Sequence, residues 1–217
     1  QCNTMSNSGR RGGRRLPHMV STHPAAPARL ASFVSLELSG FVQQGVAEQA
    51  AARAQAQSFL RTCLAGWPQS TWRLLDLQQR LLIQLPDSPV HALCLVLGLL
   101  QAPADWLQGW KIGAHVGVSR DEPDLQGQPR PVGEGVTRAL ALAGQAVAGQ
   151  AVASRAFVDA VRDLHGEYAS LFESSAEDTL LLGDRWRVRA SASVLEQLRL
   201  ELAAAQPAPD AVADETA

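Results

Sequence analysis

The chain has 217 residues, 46% of them hydrophobic and 18% charged, with a formal net charge of −2 at pH 7. That length suits one domain with flanking tails, and that apolar share is enough to bury a core. The near-neutral balance excludes bulk attraction to nucleic acid or anionic lipid, and no sustained apolar run offers a membrane span.

Residues 1–28 carry RRGGRR (Arg10–Arg15) and several prolines without apolar periodicity, so a disordered basic tail is expected. No apolar stretch follows the arginines, which argues against an export signal. The chain opens on Gln1, while Met5 and Met19 stand as alternative starts; part of this tail is expected to lie outside the natural product. The domain is expected over residues 29–202, with a second disordered tail, rich in Ala, Pro and acidic residues, over 203–217. Cys2, Cys63 and Cys94 are an odd set without metal-ligand or redox spacing. They read as small buried apolar groups in a reducing, cytoplasmic setting.

Within the domain, Leu30–Leu38 alternates apolar with small or polar residues and predicts a strand that turns at Ser39-Gly40. Gln43–Leu64 predicts an amphipathic helix closed by Gly66 and Pro68. Thr71–Leu77 and Arg80–Leu85 read as a strand hairpin turning around Gln78-Gln79. Pro89 opens a buried helix over Val90–Leu100, capped by Asp87 or Ser88. Trp110–Ser119 is the next strand, and Arg120–Val132, with its prolines and glycine, reads as a polar loop. Gly133–Val147 is helical, Gln150–Ser154 a strand, and Arg155–Leu164 a helix stopped by Gly166. Thr179–Leu182 and Arg185–Ala190 flank Gly183-Asp184, a hairpin turn. The order gives an α+β fold: a ferredoxin-like β-α-β-β-α-β plan with an α-β-α and C-terminal hairpin extension. Its helices are expected on one face of a largely antiparallel sheet.

The same stretches resemble the catalytic domain of the class III adenylate and guanylate cyclases. Gly133–Ser154 (GEGVTRALALAGQAVAGQAVAS) follows that family's pattern G-D-x-V-N-x-A-A-R-L and P-G-Q-x-x-x-S without a gap, keeping Gly133, Val136, Ala139, Leu142, Gly149, Gln150 and Ser154. Ile112–Gly117 is similar to I-G-I-H-T-G, Glu37-Leu38-Ser39-Gly40-Phe41 to D-I-x-G-F, and Leu81–Asp87 to the strand after the family's G-D pair. The resemblance spans about residues 31–190.

The resemblance implies a reaction in which two aspartates hold two metal ions that activate a ribose hydroxyl and neutralise the triphosphate. At those two positions stand Glu37 and Gln79. Glu37 keeps the charge one methylene further out, whereas Gln79 removes an anionic ligand, and magnesium demands near-ideal oxygen geometry. Asp76 is no substitute, because three residues along a strand it faces the other side. The family's ribose-positioning Asn and charge-stabilising Arg align with Thr137 and Ala141, and its purine-selecting Lys and Asp with Leu75 and Arg130. Losing one preorganised donor typically costs about 10²–10³ in rate, and here the losses coincide.

Other chemistries find less support. His18, His23, His91, His115 and His165 lack metal-ligand spacing, and His115 in a strand reads as structural. The acidic set Asp121, Glu122 and Asp124 lacks the pattern of a calcium loop. Trp67, Trp72, Trp106, Trp110 and Trp186 read as core or interface anchors. The expectation is therefore a catalytically degenerate, cyclase-like domain of intracellular signalling that acts as a homo- or heterodimer or by regulating a partner, without cofactor. The alternatives are an active cyclase supplying half of a hetero-oligomeric site with Mg or Mn, and a nucleotide-sensing module.

Overall fold

In the computed structural model, which describes residues 26–86, 88–174 and 185–205, the chain winds around one strand, β1 (Arg29–Leu38). The first half adds α1 (Val46–Cys63), β2 (Arg73–Asp76), β3 (Arg80–Leu85), α2 (Pro89–Leu100) and the short α3 (Ala104–Leu107). The second adds β4 (Trp110–Pro123), β5 (Pro129–Val132), α4 (Glu134–Gln145), β6 (Ala151–Ser154), α5 (Arg155–Leu164), β7 (Phe172–Ser174), β8 (Arg185–Val188) and α6 (Ala192–Ala205). The strands form one eight-stranded sheet in the order β2-β3-β1-β4-β6-β8-β7, with β5 added on β4. Its first four strands are mutually antiparallel and carry the expected ferredoxin-like order; β6 then runs parallel to β4.

Alternation along β1 divides the molecule into two layers of packing. Val34, Leu36 and Leu38 point into a large core with α1, α2, α5 and α6, lined by residues such as Leu60, Leu93, Phe157 and Leu198. Ala31 and Phe33 point the other way, against Ala139 of α4, Leu75 and Leu82. The expectation that all helices share one face is therefore corrected: α4 lies alone on the opposite face. Glycine makes this possible. A Cβ on Gly113 of β4 would stand 2.6 Å from the Ala139 carbonyl, and one on Gly135 of α4 would stand 3.0 Å from the Gly117 carbonyl carbon. Helix and strand backbones approach too closely there for any side chain between them.

The buried helix α2 starts as its sequence dictates: Pro89 takes the first helical position and the Ser88 hydroxyl accepts from the Val90 N–H at 3.1 Å. Asp87, the other expected cap, lies outside the described residues.

Several boundaries differ from expectation. Arg120–Val132 is not a loop but the outer part of β4 paired with β5, turning at Asp124, whose carboxylate accepts from the Gln126 and Gln128 N–H groups. Thr71 belongs to a 3₁₀ turn, so β2 is shorter than Thr71–Leu77, and a 3₁₀ turn at Phe41–Gln43 delays α1 to Val46. β8 pairs with β7; the expected partner Thr179–Leu182 and the turn Gly183-Asp184 lie outside the described residues. Helix α6 is absent from the expected elements, and it carries Ala203–Ala205, the start of the expected tail. Residues 1–25 and 206–217, the bulk of the two expected tails, also lie outside the described residues. Among the described residues, no helix is long and apolar enough to cross a membrane.

Candidate functional site

The site is built where β1 ends beneath the last turn of α4. Glu37 shares the α4 side of the sheet with Phe33, and it is bracketed across both neighbouring strands, by Arg80 of β3 and by Lys111 of β4. Both partners are cations. Arg80 Nε donates to Glu37 Oε2 at 2.6 Å, and Lys111 Nζ stands 4.0 Å from Oε1. Lys111 also donates to the Gly144 carbonyl at 3.4 Å, in the last turn of α4, where a cation complements the helix dipole. The Glu37 side chain keeps only 16% of its surface exposed. The ion pair is therefore screened less than a surface pair.

Arg80 approaches its carboxylate through one nitrogen. By contrast, Arg73 grips Asp121 with both terminal nitrogens, at 2.6 and 3.0 Å, and holds that carboxyl below the usual carboxylate range.

The structure brings some of the sequence-selected positions together and separates others. Gln79 sits in the β2–β3 turn beside Glu37, its carbonyl accepting from the Leu38 N–H at 3.0 Å, after Gln78 in the left-handed region at φ 66°. Thr137 and Ala141 lie one turn apart on α4, on the same face. The Thr137 hydroxyl is turned back onto the Gly133 carbonyl at 3.2 Å. Leu75 is buried against Phe33, Leu82 and Ala139. Arg130 is held in the β4–β5 hairpin by Asp124 at 2.9 Å. Asp76 faces α1, where its carboxylate takes Arg53 and, at 3.3 Å, Gln57.

A second polar cluster ties α4 to the sheet. His115 of β4, 3% exposed, has Nδ1 2.7 Å from the Ser154 hydroxyl and Nε2 3.1 Å from a Glu134 carboxylate oxygen. Ser154 also accepts from the Phe157 N–H at 3.2 Å and so caps α5. Burial pushes the imidazole below its ordinary value, and Glu134 opposes that push. Glu134 and Ser154 join Arg80 and Lys111 as residues whose roles sequence reasoning missed. Alternating charge at strand ends was the available sign for Glu37, Arg80 and Lys111, but it needs the strand neighbours to be read. The acidic residues of the hairpin are each spoken for: Asp121 by Arg73, Glu122 by Arg120 and Asp124 by Arg130. Among the described residues, no three His, Cys, Asp or Glu side chains converge as a metal site.

No protein-family model and no curated protein matches the chain. Solved structures do. The dimeric guanylyl cyclase domain of the RhoGC fusion protein from Blastocladiella emersonii is similar at a TM-score of 0.57 and 13% identity, over 75% of this chain and 98% of that one. The adenylyl cyclase CyaB from P. aeruginosa gives 0.58 and 10% identity, over 76% and 96%. The guanylate cyclase domain of RhGC from Catenaria anguillulae, solved with GTP, gives 0.58 and 14%, over 76% and 99%. The chain has the fold of a class III nucleotide cyclase catalytic domain.

Proposed function

We propose that this domain keeps the cyclase fold for signalling inside the cell but not the cyclase reaction, and acts by pairing with a second copy or a partner. The observation that carries the reading is the Glu37–Arg80 ion pair. If Glu37 stands where a cyclase places a metal-binding aspartate, its carboxylate is already engaged by a protein cation at 2.6 Å and approached by a second at 4.0 Å. A divalent ion would have to displace Arg80 and would find an amide at Gln79 where a second carboxylate is needed. This donor set does not fit a pair of metal ions. Thr137 and Ala141 add no cationic or amide donor on the face of α4 where the resemblance implies them. One of the similar structures is a dimeric guanylyl cyclase domain, and in this chain α4 buries only Gly135, Ala139, Leu142 and Ala143, which leaves the rest of the helix for a partner.

Purified protein incubated with ATP or GTP and magnesium or manganese is expected to form no cyclic nucleotide above buffer. Product formation that disappears in Glu37→Ala would overturn the reading in favour of an active half-site. Light scattering over a concentration series is expected to show a dimer, alone or on adding the partner; a monomer at every concentration and in every mixture would remove the pairing.

A further inference from the structure

We propose that the outer end of the sheet, on the face that carries α4, holds a binding site for a small zwitterion of the α-amino-acid class. A cavity of about 130 Å³ lies there, lined among others by Arg29, Gln84, Ser119 and Asp121, with Ala26 and Pro27 as an apolar wall. Strand alternation puts Arg29 on the same face as Phe33 and Glu37, but at the opposite end of β1, about 26 Å from Glu37. The charges there have both signs. The exposed Arg29 guanidinium makes no hydrogen bond or ion pair among the described residues. The Asp121 carboxylate takes both terminal nitrogens of Arg73, at 2.6 and 3.0 Å, and each of its oxygens keeps a lone pair for a further donor. A plain anion drawn to Arg29 is set against Asp121, and a plain cation drawn to Asp121 is set against Arg29. A ligand with adjacent opposite charges meets neither conflict.

Hydrogen-bonding capacity points the same way. Gln84 Nε2 donates to the Ser119 hydroxyl at 3.3 Å, while Gln84 Oε1 is buried without a partner. Turning the amide over would instead leave its NH₂ group short of an acceptor. Either way one end is unmatched, a costly state for a buried polar group. An amino acid carries N–H donors and carboxylate acceptors, so it can answer whichever end is left. Ser119 is itself 3% exposed, and its hydroxyl hydrogen has no acceptor among the described residues. The carboxylate of the ligand therefore falls to Arg29 and the Ser119 hydroxyl, and its ammonium to Asp121 and Gln84 Oε1. Size sets the limit: a cavity of about 150 Å³ takes benzene, so glycine, alanine or serine is the right scale. The site lies far from Glu37 and stands whether or not the domain makes cyclic nucleotide.

The test is an NMR titration of the whole isotope-labelled chain at fixed pH and ionic strength, with glycine, L-alanine, acetate, methylammonium and glycine betaine as separate probes. Glycine and alanine are expected to shift the Ser119 backbone and Gln84 side-chain amide signals saturably. Acetate and methylammonium, each with one of the two charges, are expected to bind about tenfold more weakly. Betaine, with both charges but no N–H, is expected to bind no better than acetate. Arg29→Gln is expected to weaken glycine about tenfold, the loss of one charge-assisted contact, and Ser119→Ala to weaken it severalfold. Arg29 is exposed, so its replacement leaves the core intact. Circular dichroism verifies that both variants fold, and the probe series decides by itself where either does not. Shifts that never saturate, acetate or betaine binding as tightly as glycine, or a folded Arg29→Gln that binds like the parent would overturn the site.

Discussion

At the scale of single residues, His115 is the most informative group, because its two ring nitrogens have unlike partners. A carboxylate can only accept, so Nε2 carries the proton toward Glu134 and Nδ1 accepts from the Ser154 hydroxyl. Protonating Nδ1 would force the Ser154 hydroxyl hydrogen to seek another acceptor in a buried place. Burial holds the imidazole below its ordinary 6.5, so the unfolded chain takes the proton first on acidification. The sign follows: this contribution is complete above about pH 6.5 and is lost as pH falls toward the folded value. Urea midpoints should therefore decline below pH 6.5 in the parent and decline less in His115→Gln, which should itself cost about 1–3 kcal/mol at pH 8 for the broken buried hydrogen bonds. Parallel pH profiles would refute the assignment. The sequence supported His115 as a structural residue. It could not supply Glu134 and Ser154, which are 19 and 39 residues away and meet it only once α4 folds back across β4.

At the scale of elements, the decisive contact is α4 on β4, and it rests on absent side chains. Gly113→Ala would place a Cβ 2.6 Å from the Ala139 carbonyl oxygen and 3.0 Å from the Leu142 Cβ. Backbone cannot yield as a flexible side chain can, so the substitution should destabilise by about 1–3 kcal/mol, read as a lowered urea midpoint. An unchanged midpoint would mean that α4 is not seated as described. The glycines were visible in the sequence, but their purpose was not, because close approach is a relation between two elements. The β4–β5 hairpin reads as a loop in sequence for a similar reason: its prolines and charges lack an apolar face, and pairing such as Arg130–Asp124 takes the place of a core. Helix α6 is the opposite case. Leu195, Leu198 and Leu202 recur at helical spacing, and the first two are buried against the main core. Leu198, fully buried, should cost about 2–5 kcal/mol when cut to Ala, and calorimetry showing no loss would place α6 off the core.

At the scale of the whole molecule, the two faces of the sheet are unequal, and the proposed pairing uses the weaker one. The main core gathers residues from β1, α1, α2, α5, β8 and α6 into one cluster, so these elements should unfold together. The other face holds two small clusters around α4. Nine of the twelve residues of α2 are buried but only four of the twelve in α4. Local stability tracks buried apolar contact, so α4 should open at lower free energy than α2 without dragging the sheet apart. Hydrogen exchange resolved by peptide is expected to show α4 amides less protected than those of α2. The same experiment reaches function, because a second copy or partner seated on the exposed side of α4 would supply the missing burial. Protection of α4 should then rise with protein concentration or on adding the partner while that of α2 stays fixed. If α4 proves as protected as α2 in dilute solution, its outer face has no burial to gain and the pairing surface must be sought elsewhere.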